Sequence, residues 1–268
     1  MTLRPFDRQQ LCLRAYRSFV RSSDNFIAEH SAKRLQQRLM GFKREFKHIL
    51  VTGKVPEQLI CGVQELGSKV KKIAYLCFEG ERSAFEKRDN ITTFYGDEEY
   101  LPFPEETFDL ILSNMTMHWI NDVPGALQQA KRVLRPGGLY IASFYGGSTL
   151  KELRRAFLIA DSQGPIGVTP RLCEFMDLTT AAQLMQRSGF TDPVVDRSLL
   201  EIAYNKVDDL MEDLKNMQET NIMKERPKGL TSRRTFERVK NVYETNELTE
   251  QSGILATVEL FSLTGWKT

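Results

Sequence analysis

The feature that most constrains the fold is the stretch Thr107–Gly147, which predicts one complete strand–helix–strand unit. Phe108–Ser113 is a short apolar run, typical of a strand buried on both faces of a sheet. Apolar residues then recur at helical spacing over 123–134. Pro136-Gly137-Gly138 predicts the end of that helix and a turn, and Leu139–Phe144 predicts a second buried strand. Together these elements predict a right-handed βαβ unit of a parallel sheet.

Hydrophobic patterns predict further elements on either side of this unit. An apolar stripe at Ala32, Leu35, Leu39, Phe42 and Phe46 indicates a packed helix within a helical region over residues 7–47. Short apolar runs predict a first strand and the turn after it within His48–Gly53. Further strands are predicted at Lys71–Phe78, Ile91–Tyr95, Val194-Val195, Leu199–Tyr204 and Ile254–Trp266. Further helices are predicted at Leu150–Ala160, Asp177–Ser188, Val207–Met217 and Ser232–Tyr243.

The central stretch and its flanks resemble class I S-adenosylmethionine-dependent methyltransferases. The motifs that carry the resemblance are Asp97-Glu98, Leu101-Pro102-Phe103, Thr107–Leu110, His118-Trp119 and Leu134–Gly138. The resemblance implies a Rossmann-like α/β fold with a seven-stranded, mostly parallel sheet, helices on both faces and a helical N-terminal cap. We expect the cap over residues 1–47. A methyltransferase-like domain, with C-terminal elements that bind substrate or partner, is expected over residues 48–268.

Within that superfamily the chain is similar to a narrower group. This group contains the biotin-pathway carboxyl methyltransferases and the arginine hydroxylase of mitochondrial complex I assembly, and Met117–Pro124 matches it. Similarity to the arginine hydroxylases continues through Phe6-Asp7-Arg8, Phe144–Arg154, Leu210–Leu214, Met217, Glu219-Thr220-Asn221 and Gly265-Trp266-Lys267. The resemblance implies S-adenosylmethionine as cofactor and a protein arginine as substrate. The implied partner is the small iron–sulfur subunit of the NADH dehydrogenase.

Composition is ordinary for a globular protein, with 41% hydrophobic and 27% charged residues among 268. A net charge of +2 gives no reason to expect a nucleic-acid partner. No apolar run approaches the roughly 18 residues that a membrane span needs. The four cysteines show no C-x-x-C pair, which is typical of a reducing compartment, and the three histidines are scattered and predict no metal site.

The N-terminal region is rich in arginine, a property that mitochondrial transit peptides share. However, Phe6-Asp7-Arg8 already resembles the start of the mature family domain. We therefore expect a cytoplasmic protein if the source is bacterial, and a mitochondrial matrix protein if the source is eukaryotic.

The loop after the first predicted strand is the segment most relevant to cofactor binding. In the family this loop holds two or three glycines, which let the backbone approach the methionine part of the cofactor, and follows an acidic residue. Here the loop after Thr52 keeps one glycine, Gly53, while Lys54 and Pro56 replace the others. We therefore expect cofactor affinity to be weakened, and expect Thr52→Gly and Lys54→Gly to restore it.

Other cofactor contacts are implied by position along the family's sheet. Glu79, after the second strand, is a candidate for the ribose hydroxyls or is an ordinary loop acid. Asp97 and Glu98, after the third strand, are candidates for the adenine amino group, although such acids on a loop are more often solvated. Asn114, the polar residue that follows the fourth strand, is a further candidate.

Three residues are candidates for substrate chemistry. His118 follows the fourth strand at the sheet edge where open α/β folds bind ligands, and can orient a substrate or take a proton. Alternatively, it packs on Trp119. Asp213 and Glu219 belong to the C-terminal family pattern, and a carboxylate can bind a guanidinium through two hydrogen bonds. Alternatively, these acids cap helices or pair with Arg226, Arg233 or Arg234.

Three functions remain open at the level of sequence. The first is an enzyme that modifies a protein arginine during complex I assembly. The second is a catalytically inactive methyltransferase fold that serves as a scaffold in an assembly complex. The third is a carboxyl methyltransferase of the biotin type, which the C-terminal motifs do not favour. Oxygen insertion normally calls for a redox cofactor, and the residues present no ligand set for one.

Overall fold

A computed structural model of the protein describes residues 4–19, 25–54, 57–65, 70–78, 90–165, 167–246 and 253–268. The strands are β1 (His48–Gly53), β2 (Lys72–Cys77), β3 (Ile91–Tyr95), β4 (Phe108–Asn114), β5 (Leu134–Tyr145), β6 (Thr191–Tyr204) and β7 (Ile254–Trp266). The helices are α1 (Arg8–Phe19), α2 (Phe26–Met40), α3 (Glu57–Glu65), α4 (Val123–Val133), α5 (Lys151–Ser162), α6 (Leu178–Arg187), α7 (Val207–Asn216) and α8 (Arg233–Asn246). A short 3₁₀ turn, Met117–Trp119, lies between β4 and α4.

The seven strands form one sheet in the order β3-β2-β1-β4-β5-β7-β6. Strands β1 to β5 are parallel, and β7 runs antiparallel to both β5 and β6. This confirms the predicted mostly parallel sheet, including the neighbouring positions of β4 and β5. The strand order reverses between β1 and β4, and the crevice at such a reversal is where open α/β sheets bind their ligands.

Both faces of the sheet are covered by helices, which explains the continuous apolar runs of the central strands. In β1, Leu50 packs with residues of α4 and α6 on one face. The adjacent Ile49 and Val51 pack with residues of α2 and α3 on the other face. Helices α5, α7 and α8 bury a separate set of apolar residues against the end of β7. Burial on both faces leaves little need for polar alternation in the strands.

The segment Pro136-Gly137-Gly138 lies inside a strand, and the central helix ends before this segment is reached. Helix α4 already ends at Val133, and Leu134 begins β5 by pairing with Phe108. The segment 136–138 instead lies inside an irregular start of β5, where the register shifts. A residue that precedes proline is disfavoured in the helical region, so the chain becomes extended before Pro136 is reached.

Two other predicted boundaries also change. The strands predicted at 194–195 and 199–204 are one continuous strand, because β6 pairs along nearly the whole of β7. Pro193, which has no N–H to donate, falls where the register of this pairing shifts. Helix α2 ends at Met40, so Phe46 joins the core from the irregular segment before β1 instead of from the helix.

The N-terminal region is helical and lies against the rest of the chain. Helix α2 packs directly on the sheet, while the segment before α1 pairs with the C-terminal loop through Phe6 and Met223. Asp7 forms an ion pair with Arg226 at 3.1 Å. The domain boundary at residue 47 stays a prediction. None of the helices described has the length and apolar character that crossing a membrane requires.

Candidate functional site

A cleft opens at the carboxyl ends of β1, β2, β3 and β4, at the reversal of strand order. It encloses about 580 Å³ of empty space and is lined by Gly53, Lys54, Phe78, Glu98, Thr116 and Trp119 among others. Two residues of α1, Arg8 and Leu11, line it from the opposite side. Open α/β sheets bind their ligands at this edge, so the cleft has the position of a ligand site.

Gly53 lets the chain leave β1 by a path that no other residue can take. Its φ is +83°, and a Cβ atom would lie 2.3 Å from the carbonyl oxygen of Asn114 and 2.4 Å from Cγ2 of Thr116. The glycine is therefore required by close packing against the end of β4. Thr52, the residue before it, is buried within β1.

Asn114 ties the same loop to its surroundings. Its side-chain amide donates to the carbonyl oxygens of Lys54 at 2.5 Å and Ala28 at 3.2 Å, and its Oδ1 accepts from Ser31 at 2.7 Å. The structure therefore gives Asn114 a positioning role in the loop. The cofactor contact predicted for Asn114 stays a prediction, as do those of Thr52 and Gly53.

The two acids after β3 occupy different environments. The carboxylate of Asp97 forms an ion pair with Arg8 at 2.6 Å. Glu98 accepts hydrogen bonds from the hydroxyls of Thr116 at 2.7 Å and Ser113 at 3.3 Å. Burial raises the pKa of Glu98 and outweighs the stabilising effect of these hydroxyls. Glu98 lines the cleft, whereas Glu79, the predicted ribose ligand, lies outside the described residues.

Arg8 crosses the cleft from α1. Its guanidinium lies 4.4 Å from the ring centroid of Phe78 and donates to the carbonyl oxygen of Trp119 at 2.9 Å. The contact with Phe78, together with the ion pair to Asp97, places a cation at the strand ends where the adenine group is expected. Sequence reasoning used Arg8 only as part of a family motif and gave it no place in the site.

A buried charge cluster lies beside the cleft and joins three distant parts of the chain. Lys54 Nζ lies 2.5 Å from Oε1 of Glu219 and donates to the carbonyl oxygen of Met217 at 2.5 Å. Oε2 of Glu219 lies 3.2 Å from Nε2 of His118. The side chain of Lys54 is 16% exposed, that of Glu219 5% and that of His118 1%. The structure thus brings together two of the predicted residues, His118 and Glu219, with Lys54.

The protonation states of this cluster follow from its geometry. Burial by itself would raise the pKa of Glu219, but the charge of Lys54 and the contacts with His118 hold that pKa below its ordinary value. Burial lowers the pKa of His118, and the neighbouring Glu219 only partly opposes this effect. We therefore assign Glu219 as ionised and His118 as neutral near pH 7.

A neutral His118 has a defined tautomer in this setting. An ionised carboxylate only accepts hydrogen bonds, so Nε2 of His118 carries the proton that faces Glu219. Nδ1 is then an acceptor, and it is buried without a hydrogen-bond partner in the described structure. The ring packs between Trp119 and Tyr145, with centroid distances of 4.8 and 4.7 Å. The predicted packing of His118 on Trp119 is therefore present, and its role toward a substrate or a proton stays a prediction.

Asp213 does not join this cluster. It hydrogen-bonds with Tyr204 and contributes, after burial, to a raised pKa of that phenol. The alternative pairing of Glu219 with Arg226 is also not formed, because Arg226 pairs with Asp7 and Glu219 pairs with Lys54.

An apolar pocket of about 390 Å³ lies on the other side of Glu219. Three aromatic side chains, Tyr145, Phe175 and Tyr204, line it together with aliphatic residues of α2, α7 and β7. Glu219 is the charged residue of this lining. A pocket with aromatic walls and one carboxylate suits a side chain that is long, partly apolar and cationic.

The comparisons with known proteins agree with this geometry. Residues 69–142 match the family described as a methyltransferase domain. The mitochondrial arginine-hydroxylase NDUFAF5 of Rattus norvegicus is 32% identical to this chain over 250 residues, which cover 91% of the chain and 71% of the relative. The chain belongs to the NDUFAF5 family. The family resemblance inferred from the motifs is thereby confirmed.

Relatives outside the NDUFAF5 family are also found. The malonyl-[acyl-carrier protein] O-methyltransferase of Xylella fastidiosa is 34% identical over 155 residues, which cover 58% of this chain and half of that protein. The solved structure of YcgJ from Bacillus subtilis superposes with a TM-score of 0.58 at 14% identity, over 89% of this chain and 98% of that one. This second likeness shows the methyltransferase-like fold alone.

In this member of the NDUFAF5 family, the cleft fits a nucleoside-bearing cofactor such as S-adenosylmethionine. The cleft lies at the strand ends where such cofactors bind, and Nε1 of Trp119, a residue of its lining, is a buried donor that has no partner in the described part of the chain. The residues that would hold the cofactor are Glu98, Trp119 and the backbone at Gly53. In the same part of the chain, no group of three or more His, Cys, Asp or Glu side chains is arranged around a metal site.

The buried His118 of this NDUFAF5-family chain makes stability depend on pH. Its pKa in the folded state lies below the ordinary value of 6.5, so the unfolded state binds more protons as the pH falls below 6.5. The stabilisation is therefore complete above pH 6.5 and is lost as the pH falls towards the folded pKa. We expect the free energy of unfolding to decline as the pH falls below about 6.5, and expect His118→Gln to flatten that decline.

Urea unfolding at several pH values measures this slope. His48→Gln serves as the control, because His48 is less buried and its lowered pKa is expected to contribute less. Equal slopes for the parent and His118→Gln would show that His118 does not titrate in this window.

Proposed function

We propose that this chain binds S-adenosylmethionine in the strand-end cleft and modifies an arginine of a protein substrate during assembly of respiratory complex I. The observation that carries the proposal is the position of Glu219, whose carboxylate lies between His118 beside the cleft and the aromatic pocket. S-adenosylmethionine, when bound, supplies an electrophilic methyl group. The rat relative is named an arginine-hydroxylase, which supports arginine as the substrate residue.

The aromatic pocket suits an arginine side chain better than it suits an acidic group. The three methylene groups of arginine can pack on Tyr145, Phe175 and Tyr204, and the guanidinium can reach the carboxylate of Glu219. Malonyl substrates, which the Xylella fastidiosa relative's name indicates, end in a carboxylate. That carboxylate would approach Glu219, and like charges repel.

We propose that His118 accepts a proton in this site. A guanidinium nitrogen is a nucleophile only after it loses a proton, and a neutral imidazole can accept one. Nδ1 of His118 is neutral, buried and unpartnered in the described structure. Glu219 holds the other ring nitrogen, which fixes the tautomer needed for that role.

We propose weak cofactor binding, because Lys54 occupies the place of a family glycine and its side chain is committed to Glu219. Each lost contact of this kind contributes about 1.5–3 kcal/mol, so a dissociation constant above about 10 µM is expected.

A catalytically inactive scaffold is the second candidate, and Arg8 is the observation that favours it. The guanidinium of Arg8 packs on the ring of Phe78 and pairs with the carboxylate of Asp97, two groups that a bound adenine would otherwise contact. In that case the aromatic pocket would bind the arginine without modifying it. The proposed location is the mitochondrial matrix for a eukaryotic source and the cytoplasm for a bacterial one.

One experiment tests both candidates. The protein is titrated with S-adenosylmethionine by calorimetry, and is then incubated with the small iron–sulfur subunit of the NADH dehydrogenase. Mass spectrometry of the subunit reports an added methyl group, an added oxygen atom or no change on arginine. We expect the double variant Glu219→Gln with Lys54→Met to capture less than about a tenth of the subunit that the parent captures in a pull-down. The double variant lacks the carboxylate that is proposed to pair with the substrate arginine.

Asp208→Asn is the matched control, because Asp208 is exposed and pairs with Lys240, away from the charge cluster and the aromatic pocket. Retention of the subunit by the double variant at the parent's level would disprove arginine docking at Glu219. Capture of the subunit with no change in its mass would assign the scaffold function instead.

A further inference from the structure

Two surface clefts join into one groove that ends at the candidate site. The first encloses about 830 Å³ and the second about 790 Å³, and they share Phe157, Arg171 and Leu172 in their linings. Glu219 lines the inner end of the first cleft as well as the aromatic pocket. We call this continuous depression the basic groove.

The charges of the basic groove are predominantly positive. Its basic residues are Arg14, Arg154, Arg171, Lys215 and Arg226, and its acidic residues are Glu174 and Glu219. Asp161 neutralises Arg171 at 2.8 Å, Asp7 neutralises Arg226 at 3.1 Å, and Lys54 neutralises Glu219 at 2.5 Å. Within the described residues, Arg14, Arg154 and Lys215 form no ion pair, so the groove keeps an excess of positive charge.

Arg14 shows that this excess is built into the structure. Its guanidinium donates to the main-chain carbonyl oxygens of Thr220 at 2.6 Å and Asn221 at 2.5 Å, and neither of these acceptors carries a charge. Burial, and then the nearby charge of Arg226, lowers the pKa of Arg14 to about 10, which still leaves it protonated at neutral pH. Arg154 likewise donates to a carbonyl oxygen, that of Cys173, at 2.9 Å.

The rest of the groove is apolar. Phe157 and Leu172 lie where the two clefts meet, and Leu158 and Val168, both more than half exposed, lie along the second cleft. Peptides contribute apolar side chains to such surfaces, whereas a nucleic-acid backbone would leave them uncovered.

We propose that the basic groove binds a segment of the protein substrate that flanks the modified arginine and carries both acidic and apolar, leucine-like side chains. This inference rests on the proposed function, because the groove leads to the carboxylate proposed to hold that arginine. The acidic residues of the segment would meet Arg14, Arg154 and Lys215, and its apolar residues would pack on Phe157 and Leu158. The arginine would meet the negative charge of Glu219 and the acidic residues would meet the positive charges of the groove, which would fix the direction in which the segment lies.

Fluorescence anisotropy with three labelled peptides tests the inference on the whole chain. The first peptide has a central arginine flanked by glutamate and leucine, the second replaces the glutamates by lysines, and the third replaces the arginine by glutamine. We expect the lysine peptide to bind at least about tenfold more weakly than the first. We also expect Lys215→Glu and Arg154→Glu, made separately, each to weaken the first peptide by about tenfold. Lys43→Glu, an exposed change outside the groove, should have no effect.

The peptides separate the two proposals. Equal binding of the glutamate and lysine peptides, or equal effects of Lys215→Glu and Lys43→Glu, would overturn the groove. Equal binding of the arginine and glutamine peptides, with the dependence on glutamate intact, would instead overturn arginine recognition and leave the groove standing. Displacement of the first peptide by a single-stranded RNA of equal charge at similar concentration would also overturn the inference.

Discussion

Glu219→Gln is expected to lower the free energy of unfolding by about 3 kcal/mol, because it leaves the ammonium of Lys54 buried without its counter-charge. The glutamine has nearly the same shape as the glutamate, so packing is preserved and the loss is electrostatic. Lys54 Nζ lies 2.5 Å from the carboxylate, and the side chains of the pair are 16% and 5% exposed. Urea unfolding at pH 7 measures the loss.

The double variant Lys54→Met with Glu219→Gln should recover most of this stability. Methionine keeps the apolar stem of the lysine, and neither residue then carries a charge that needs a partner. The cycle of single and double variants gives the coupling energy of the pair directly. A coupling energy near zero would mean that the pair is solvated and does not hold the loop in place.

The same pair changes what we expect of the glycine loop. Counting glycines in the sequence suggested that Lys54→Gly would tighten cofactor binding. The structure shows that Lys54 is the counter-ion of Glu219, so this change would leave a carboxylate buried without its partner. We therefore expect Lys54→Gly to destabilise the protein about as much as Glu219→Gln does.

Gly53→Ala is expected to cost about 3 kcal/mol or more and to impair the cleft. The new Cβ would lie 2.3 Å from a main-chain oxygen of Asn114, which cannot move without distorting β4, and φ at this position is +83°. Steric overlap with the backbone and a left-handed conformation therefore add together. Thermal unfolding and calorimetric titration with S-adenosylmethionine measure the two effects.

Gly167→Ala is the matched control for this substitution. Gly167 has a similar φ of +77°, but a Cβ there would meet no atom within 4 Å. Its cost should therefore be that of the left-handed conformation alone, about 1 kcal/mol. If the two alanine variants are equally stable, the packing of Gly53 against the end of β4 is not what requires the glycine.

The sequence by itself determined the elements of the fold and the family. Strands β3 and β7 begin and end at the predicted residues, because a buried strand needs a continuous apolar run that can be read locally. The motifs around β4 and α4 were sufficient to indicate the methyltransferase-like sheet. Boundaries were misplaced where pairing with a distant strand overrode the local pattern, as in β6 along β7.

Only the tertiary structure decided which charged groups meet. Lys54 and Glu219 are 165 positions apart, and Arg8 of α1 forms an ion pair with Asp97, which follows β3. A charged residue on a loop shows the same local pattern whether it is solvated or paired, so the sequence left Glu219 open between a local arginine pair and an arginine substrate. Folding adds a partner that neither alternative included, Lys54, because a carboxylate removed from water takes the cation that the sheet brings to it.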